Sequence, residues 1–241
     1  MTQDREIAAN ILKRAWQLET EKRLTQSLTC YQEGIEILMN ALRNTPNNNE
    51  KNIIRSRIEE FMGRAESVKK RVEVEKKLGL YHEQVIIEEN SIGHSYEKVF
   101  GRFFDQEVTK IEIDDPYIRL FHQCQNFLRL CELAVKNCIN LKEIFLTTGE
   151  DSAEQKKWLE MIQDDLLKRF KIKLTILFSS ILHDREIRLN NGWYIKSGRG
   201  LDYFKGPENK FSIGTNDMDF RKCHETTVDI IHNKDIRKAF G

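Results

Sequence analysis

The chain has 241 residues, of which 39% are hydrophobic and 32% charged, with 12 Gly and only 3 Pro. That length suits one large domain or two smaller ones, and the composition excludes disordered, collagen-like and low-complexity proteins. Lys plus Arg total 39 against 38 Asp plus Glu, a net charge of +1, so no global field gathers nucleic acid and any anion site must be a local patch.

In chain order, Met1-Thr2-Gln3-Asp4-Arg5-Glu6 is charged where a signal peptide needs an apolar core, so a cytoplasmic protein is expected. From Asp4 to Leu78 the pattern is helical. Ile7, Ile11, Leu12, Ala15 and Leu18 mark the inner face of a first helix, with Asp4 as its N-cap. Leu24, Leu28, Tyr31, Ile35, Leu38 and Leu42 make the stripe of a second, with Gly34 beside it for close backbone approach. Pro46 and Asn47-Asn48-Asn49 break the pattern, and Ile54, Ile58, Phe61, Ala65, Val68 and Val72 then set the stripe of a third and longest helix. Three such helices with short connections predict an antiparallel bundle over residues 1–78.

Residues 79–91 carry turn signals such as Asn90-Ser91 and are expected to be a linker to a second domain over 92–241. There, strands are predicted over 108–113, 141–147 and 172–178, alternating with helices over 120–136 and 153–170. That order spells a parallel α/β sheet. Strands over 185–189 and 193–197 flank Asn190-Asn191-Gly192, a hairpin signal, so the sheet is predicted to turn antiparallel late and to be mixed. The most apolar run, Leu174 to Leu182, is far short of the roughly 20 residues that span a bilayer and reads as a buried strand. Cys124, Cys131 and Cys138 recur every seven residues, about 10.5 Å apart on a helix. They are read as structural thiols, and no metal or cofactor is expected.

On the third helix, Met62 lies one residue past Phe61, about 100° round from the bundle stripe, and Glu66 and Lys69 continue its line. Physics alone leaves two readings: a half-exposed Met beside a solvated charge row, or a docking site. In the second, Met62, Ile58 and Ala65 floor a channel against the second helix, and Glu66 pairs with a basic residue of a guest helix. The segment Phe61-Met62-Gly63-Arg64-Ala65-Glu66-Ser67-Val68-Lys69, with Leu28-Thr29-Cys30-Tyr31-Gln32-Glu33-Gly34-Ile35 upstream, resembles the MIT domain. That three-helix module binds the C-terminal helices of ESCRT-III subunits. The resemblance places the family's groove residues on Met62, Ala65 and Glu66, while Gly63 departs from the usual polar helix former.

The segment His183-Asp184-Arg185-Glu186-Ile187-Arg188-Leu189-Asn190 resembles the phospholipase D family motif, which uses a His, a Lys two residues on and an Asp seven on. Arg185 stands at the Lys position and Asn190 at the Asp position. The resemblance therefore implies the fold and an anion site, since arginine is a bidentate phosphate donor, but degenerate chemistry. A dimeric phosphodiesterase acting through His183 is the rival reading. Gly198-Arg199-Gly200 followed by Tyr203-Phe204-Lys205 reads either as a phosphate-cradling loop or as an ordinary turn. Cys223-His224 reads as structural rather than as a thiol site.

Taken whole, with Ile113-Asp114-Asp115-Pro116-Tyr117-Ile118-Arg119 and the strings from Gly198 and Cys223, the chain resembles proteins that join an N-terminal MIT domain to a C-terminal phospholipase-D-like domain. What this implies is a non-enzymatic adaptor for cytokinesis and abscission, peripheral on endosomal membrane and midbody. Its partners are expected to be ESCRT-III tails, an acidic phospholipid surface and a second copy joined through the C-terminal domain, without nucleic acid. The basic and aromatic candidates for lipid contact are His183, Arg185, Arg188, Lys196, Arg199, Tyr203, Phe204 and Lys205.

Overall fold

Pro46 ends one helical pattern and Asn47 starts the next: the Asn47 side chain accepts hydrogen bonds from the N–H groups of Asn49 (2.9 Å) and Glu50 (3.4 Å), capping a 31-residue helix. The structure, a computed structural model, describes residues 2–233. The helices are α1 (Thr2–Thr20), α2 (Leu24–Arg43) and α3 (Asn48–Leu78). Gly79, with φ of 69°, closes α3 in the left-handed conformation that glycine adopts without strain.

The chain divides after Glu83 into two compact units. In the first, the buried stripes are Ala8, Leu12, Ala15 and Leu18 on α1, Leu24, Tyr31, Ile35, Leu38 and Ala41 on α2, and Ile54, Ile58, Val68 and Val72 on α3. Ile7, expected inside, is exposed, because the stripe of α1 runs through Ala8 and Ile7 sits a helical step away from it. Asp4 lies in the first turn rather than at the N-cap, since α1 starts at Thr2. The three helices share Glu19, whose carboxylate accepts from the Tyr31 hydroxyl of α2 (3.1 Å) and the Arg71 guanidinium of α3 (3.2 Å).

The second unit holds a seven-stranded mixed sheet in the order β1-β7-β6-β5-β2-β3-β4. The strands are β1 (His82–Ile87), β2 (Lys110–Asp114), β3 (Glu143–Thr148), β4 (Lys173–Phe178), β5 (Glu186–Leu189), β6 (Trp193–Ser197) and β7 (Thr226–His232). As predicted, β2, β3 and β4 run parallel and β5 and β6 pair antiparallel, with α5 (Phe121–Asn137) and α6 (Ala153–Asp165) as crossovers; β7 adds a further antiparallel strand beside β6, and a short α4 (Tyr96–Phe100) precedes β2. The expected linker is corrected: its residues 82–87 form β1, which alternates exposed and buried positions and pairs beside β7. Both of these strands escaped the sequence reading. The helix expected to reach Phe170 ends as an α-helix at Asp165 and continues as a π-helical turn to Lys171, whose φ is 61°. The apolar run from Leu174 is not a buried strand: β4 is a sheet edge, with Leu177 and Phe178 exposed and 179–182 outside it.

Register brings the functional loops together. Asp114 pairs with Thr147 and Glu186, Thr148 with Phe178, and Glu186 with Lys196. The ends of β2, β3, β4 and β6 and the start of β5 therefore lie at one end of the sheet.

Gly34 generates a prediction about the bundle. A Cβ built there would stand 2.6 Å from the Leu12 side chain, closer than real contacts come, so the buried Leu12 side chain or the two helices would have to shift. Gly34→Ala should cost about 1–3 kcal/mol through overpacking, read as a lower urea midpoint with an unchanged m value.

Candidate functional site

On α3, Met62 is 49% exposed, and Glu66 and Lys69, both exposed, continue its line one and two turns along, with half-buried Ala65 beside it. Ile58 is not on this surface; it is a core residue packed inside the bundle. The sequence reading also missed a groove of about 710 Å³ between α1 and α3, whose lining includes Trp16, Ile53, Phe61, Arg57 and Arg64. Its signal lay in Trp16 and Ile53, large apolar residues off the predicted stripes and exposed in the structure.

In the second unit, the site grows from Asp115 at the end of β2. This carboxylate is buried; Oδ1 accepts from the Tyr117 N–H (3.0 Å) and Oδ2 from the Leu201 N–H (3.1 Å). Burial pushes its pKa above the ordinary carboxylate value, against the downward pull of those two amides and of Arg185. Any Cβ at Gly200 would meet Asp115 Oδ2 at 2.1 Å, and φ there is +59°. The Gly198-Arg199-Gly200 turn thus seats Asp115 rather than cradling phosphate, since the Gly198 and Gly200 N–H groups already donate to Thr227 and Ser197 carbonyls.

With this loop fixed, the Arg185 guanidinium lies 4.2 Å from the Tyr117 ring centroid and donates to the Gly198 carbonyl. Arg119 approaches the same ring at 5.7 Å, donates through Nε to the Pro116 carbonyl (2.8 Å), and lies where a side chain on Gly149 would collide with it. Among the described residues, neither arginine has a carboxylate within ion-pair distance. Tyr117 and Arg119 were not candidates from sequence; their signal was their place directly after an apolar strand at its C-terminal end.

The other candidates divide sharply. His183 is exposed in the connection between β4 and β5, and Arg199 is exposed after β6. Arg188 is corrected: it pairs with Asp114 (2.8 Å), Glu112 (3.2 Å) and Glu186. Burial would lower its pKa, but Asp114 and Glu186 outweigh that and hold the guanidinium above its usual value. Lys196 pairs with Asp184 (2.9 Å), and Lys205 with Glu89 and with Asn90 (2.8 Å). Tyr203 and Phe204 are not headgroup aromatics: both are buried against Tyr96, with ring centroids 5.7 and 5.2 Å away. Asn190 sits at the opposite end of β5 from His183; its Oδ1 accepts from the Thr109 (2.8 Å) and Lys110 (3.1 Å) amides at the start of β2. Cys124, Cys131, Cys138 and Cys223 are buried and unbridged. Burial pushes Cys124 and Cys223 up to about 11 and Cys138 up to about 12, out of thiolate range.

A bundle of three helices followed by a mixed sheet whose loops converge around Asp115 defines a helical MIT module joined to a phospholipase-D-like fold. Residues 6–70 match the MIT (microtubule interacting and transport) domain family, and residues 93–232 match the phospholipase D-like domain at the C-terminus of MIT. The chain is 47% identical to mouse (Mus musculus) MIT domain-containing protein 1 over 239 residues, which is 98% of this chain and 96% of the mouse protein. It belongs to this family.

The Arg188 cluster yields a prediction opposite to that of a lipid-binding residue. Arg188→Ala leaves Asp114 and Glu186 without their cation, while Glu112 keeps only Lys110 (3.3 Å). The loss should be on the order of 2 kcal/mol after allowing for partial exposure, read by urea unfolding as a lower midpoint.

Proposed function

We propose that this protein is an adaptor that docks ESCRT-III C-terminal helices on its MIT domain and acidic phospholipid on its phospholipase-D-like domain, acting in cytokinesis and abscission at the midbody and on endosomal membrane. The observation that carries the first half is the exposed line of Met62, Glu66 and Lys69 on α3, an apolar residue outside the core with charges to orient a guest. The second half rests on Arg119, Arg185 and Arg199, cations at one end of the sheet with no carboxylate within ion-pair distance among the described residues, Asp115 being the nearby acid whose field Arg185 shares. Arg188, Lys196 and Lys205 are held in ion pairs and contribute little to the membrane field.

The fold reading favours binding over turnover. Arginine replaces lysine at position 185, and the residue at 190 is an amide that ties β5 to the start of β2, so His183 is left without its usual companions. Each basic residue near an anionic leaflet adds about 1 kcal/mol. Three of them give weak attachment, and a homodimer joined through this domain multiplies it by making the second contact intramolecular.

Met62→Asp should lower affinity for ESCRT-III tail peptides by at least about 2 kcal/mol with helicity unchanged, measured by calorimetry and circular dichroism. Unaltered affinity would move the guest to the groove between α1 and α3. Arg185→Ala with Arg199→Ala should weaken sedimentation with acidic liposomes by about 2 kcal/mol, and Lys205→Glu by less. Phosphodiester turnover that disappears in His183→Ala would replace the adaptor reading with an enzymatic one.

A further inference from the structure

The connection between β6 and β7 is long, and its middle projects two large apolar side chains away from the protein: Phe211 is 98% exposed and Ile213 is 84% exposed. This tip is built. Asn209 Oδ1 accepts from the Phe211 N–H (2.8 Å), and the Asn209 carbonyl accepts from Ser212 Oγ (2.8 Å) and Thr215 Oγ1 (3.1 Å). Beneath it, the buried Arg221 donates to the carbonyls of Thr215 (2.7 Å), Lys205 (3.1 Å) and Gly214. Gly214, at φ of +90°, comes so close to Phe220 that a Cβ would stand 2.6 Å from its carbonyl oxygen. A turn held by these hydrogen bonds that displays large apolar side chains to water is arranged to bury them elsewhere.

We infer that Phe211 and Ile213 insert into the acyl boundary of a lipid bilayer, an inference that rests on the membrane reading above. Three observations favour a bilayer over a protein groove. The tip is convex, and a bilayer accepts apolar side chains without a matching shape. The loop leaves the sheet at the end that carries Arg185 and Arg199, because Ser197 at the end of β6 pairs with Val228 near the start of β7 and Lys196 pairs with Glu186 beside Arg185. Ile181, on the β4–β5 connection from this same end, is 82% exposed. Charge near the tip is nearly balanced: Lys222 pairs with Glu208 (3.1 Å) and Lys205 with Glu89, leaving Lys210 beside Phe211 and the acidic Asp217 farther along the loop. The tip therefore supplies a salt-resistant hydrophobic component next to the salt-sensitive one of the arginines.

The test uses the full chain and phosphatidylcholine vesicles with and without phosphatidylserine. Phe211→Ser with Ile213→Ser should lower partition onto phosphatidylserine vesicles at least about tenfold and abolish the part that survives high salt, with thermal unfolding and oligomeric state unchanged. As an independent readout, Phe211→Trp should show blue-shifted emission on vesicles and quenching by brominated acyl chains beyond that of the unsubstituted chain. Vesicle binding equal to the unsubstituted chain in the double-serine variant, without added quenching in Phe211→Trp, would overturn the insertion while leaving membrane binding intact. No binding of the unsubstituted chain to either vesicle would remove the membrane reading itself. A change of oligomeric state in the double-serine variant would overturn the insertion by assigning the tip to a contact between copies.

Discussion

Asp115 joins two loops that are 86 residues apart in sequence, accepting one amide from each. Tyr117, Arg185 and the turn through Gly200 and Leu201 are arranged around that carboxylate. The Tyr117 amide holds the turn after β2, so the ring is placed beneath Arg185 and within reach of Arg119. The Leu201 amide holds the start of the β6–β7 connection, and Gly200 is the residue that lets the backbone come close enough. A carboxylate buried in this way is costly unless hydrogen-bonded, so its environment must form completely or not at all.

The same unit shows how ion pairing converts a list of basic residues into a site. Arg188, Lys196 and Lys205 are as basic in sequence as Arg185 and Arg199, yet each faces a carboxylate, and Arg188 faces three. A paired cation has little residual field beyond a Debye length. What remains outside ion pairs among these candidates is a pair of guanidinium groups around one aromatic ring and an exposed arginine, a smaller basic patch than the sequence suggested. Two exposed apolar side chains, Phe211 and Ile213, lie on the connection that leaves the same sheet end.

The helical unit obeys a simpler rule. A single glycine lets α1 and α2 approach closely, and Glu19 ties both to α3. The close α1–α2 packing leaves α3 with apolar residues on two sides that the core does not use: Met62 on one, and Ile53 beside Trp16 on the other.

The three helices, the order of β2 to β6 and the hairpin at Asn190-Asn191-Gly192 were legible in the sequence, because periodicity and turn chemistry are local. So was the exposure of Met62, which follows from counting around a helix. Strand β1 was hidden because Glu83 occupies a buried position and breaks the apolar alternation that would have marked it. Strand β7 was not recognised, although its buried positions Val228 and Ile230 alternate as a strand's do. Among the site residues, His183, Arg185 and Arg199 remained accessible, whereas Tyr203 and Phe204 entered the core and Arg188, Lys196 and Lys205 found partners. Sequence alone determined the three helices of the bundle, strands β2 to β6 and which side chains carry charge. Which charges stay free, and that Tyr117 and Arg119 share a site with Arg185, was decided only by the tertiary structure, because ion pairs and ring contacts form between residues that strand register brings together from distant parts of the chain.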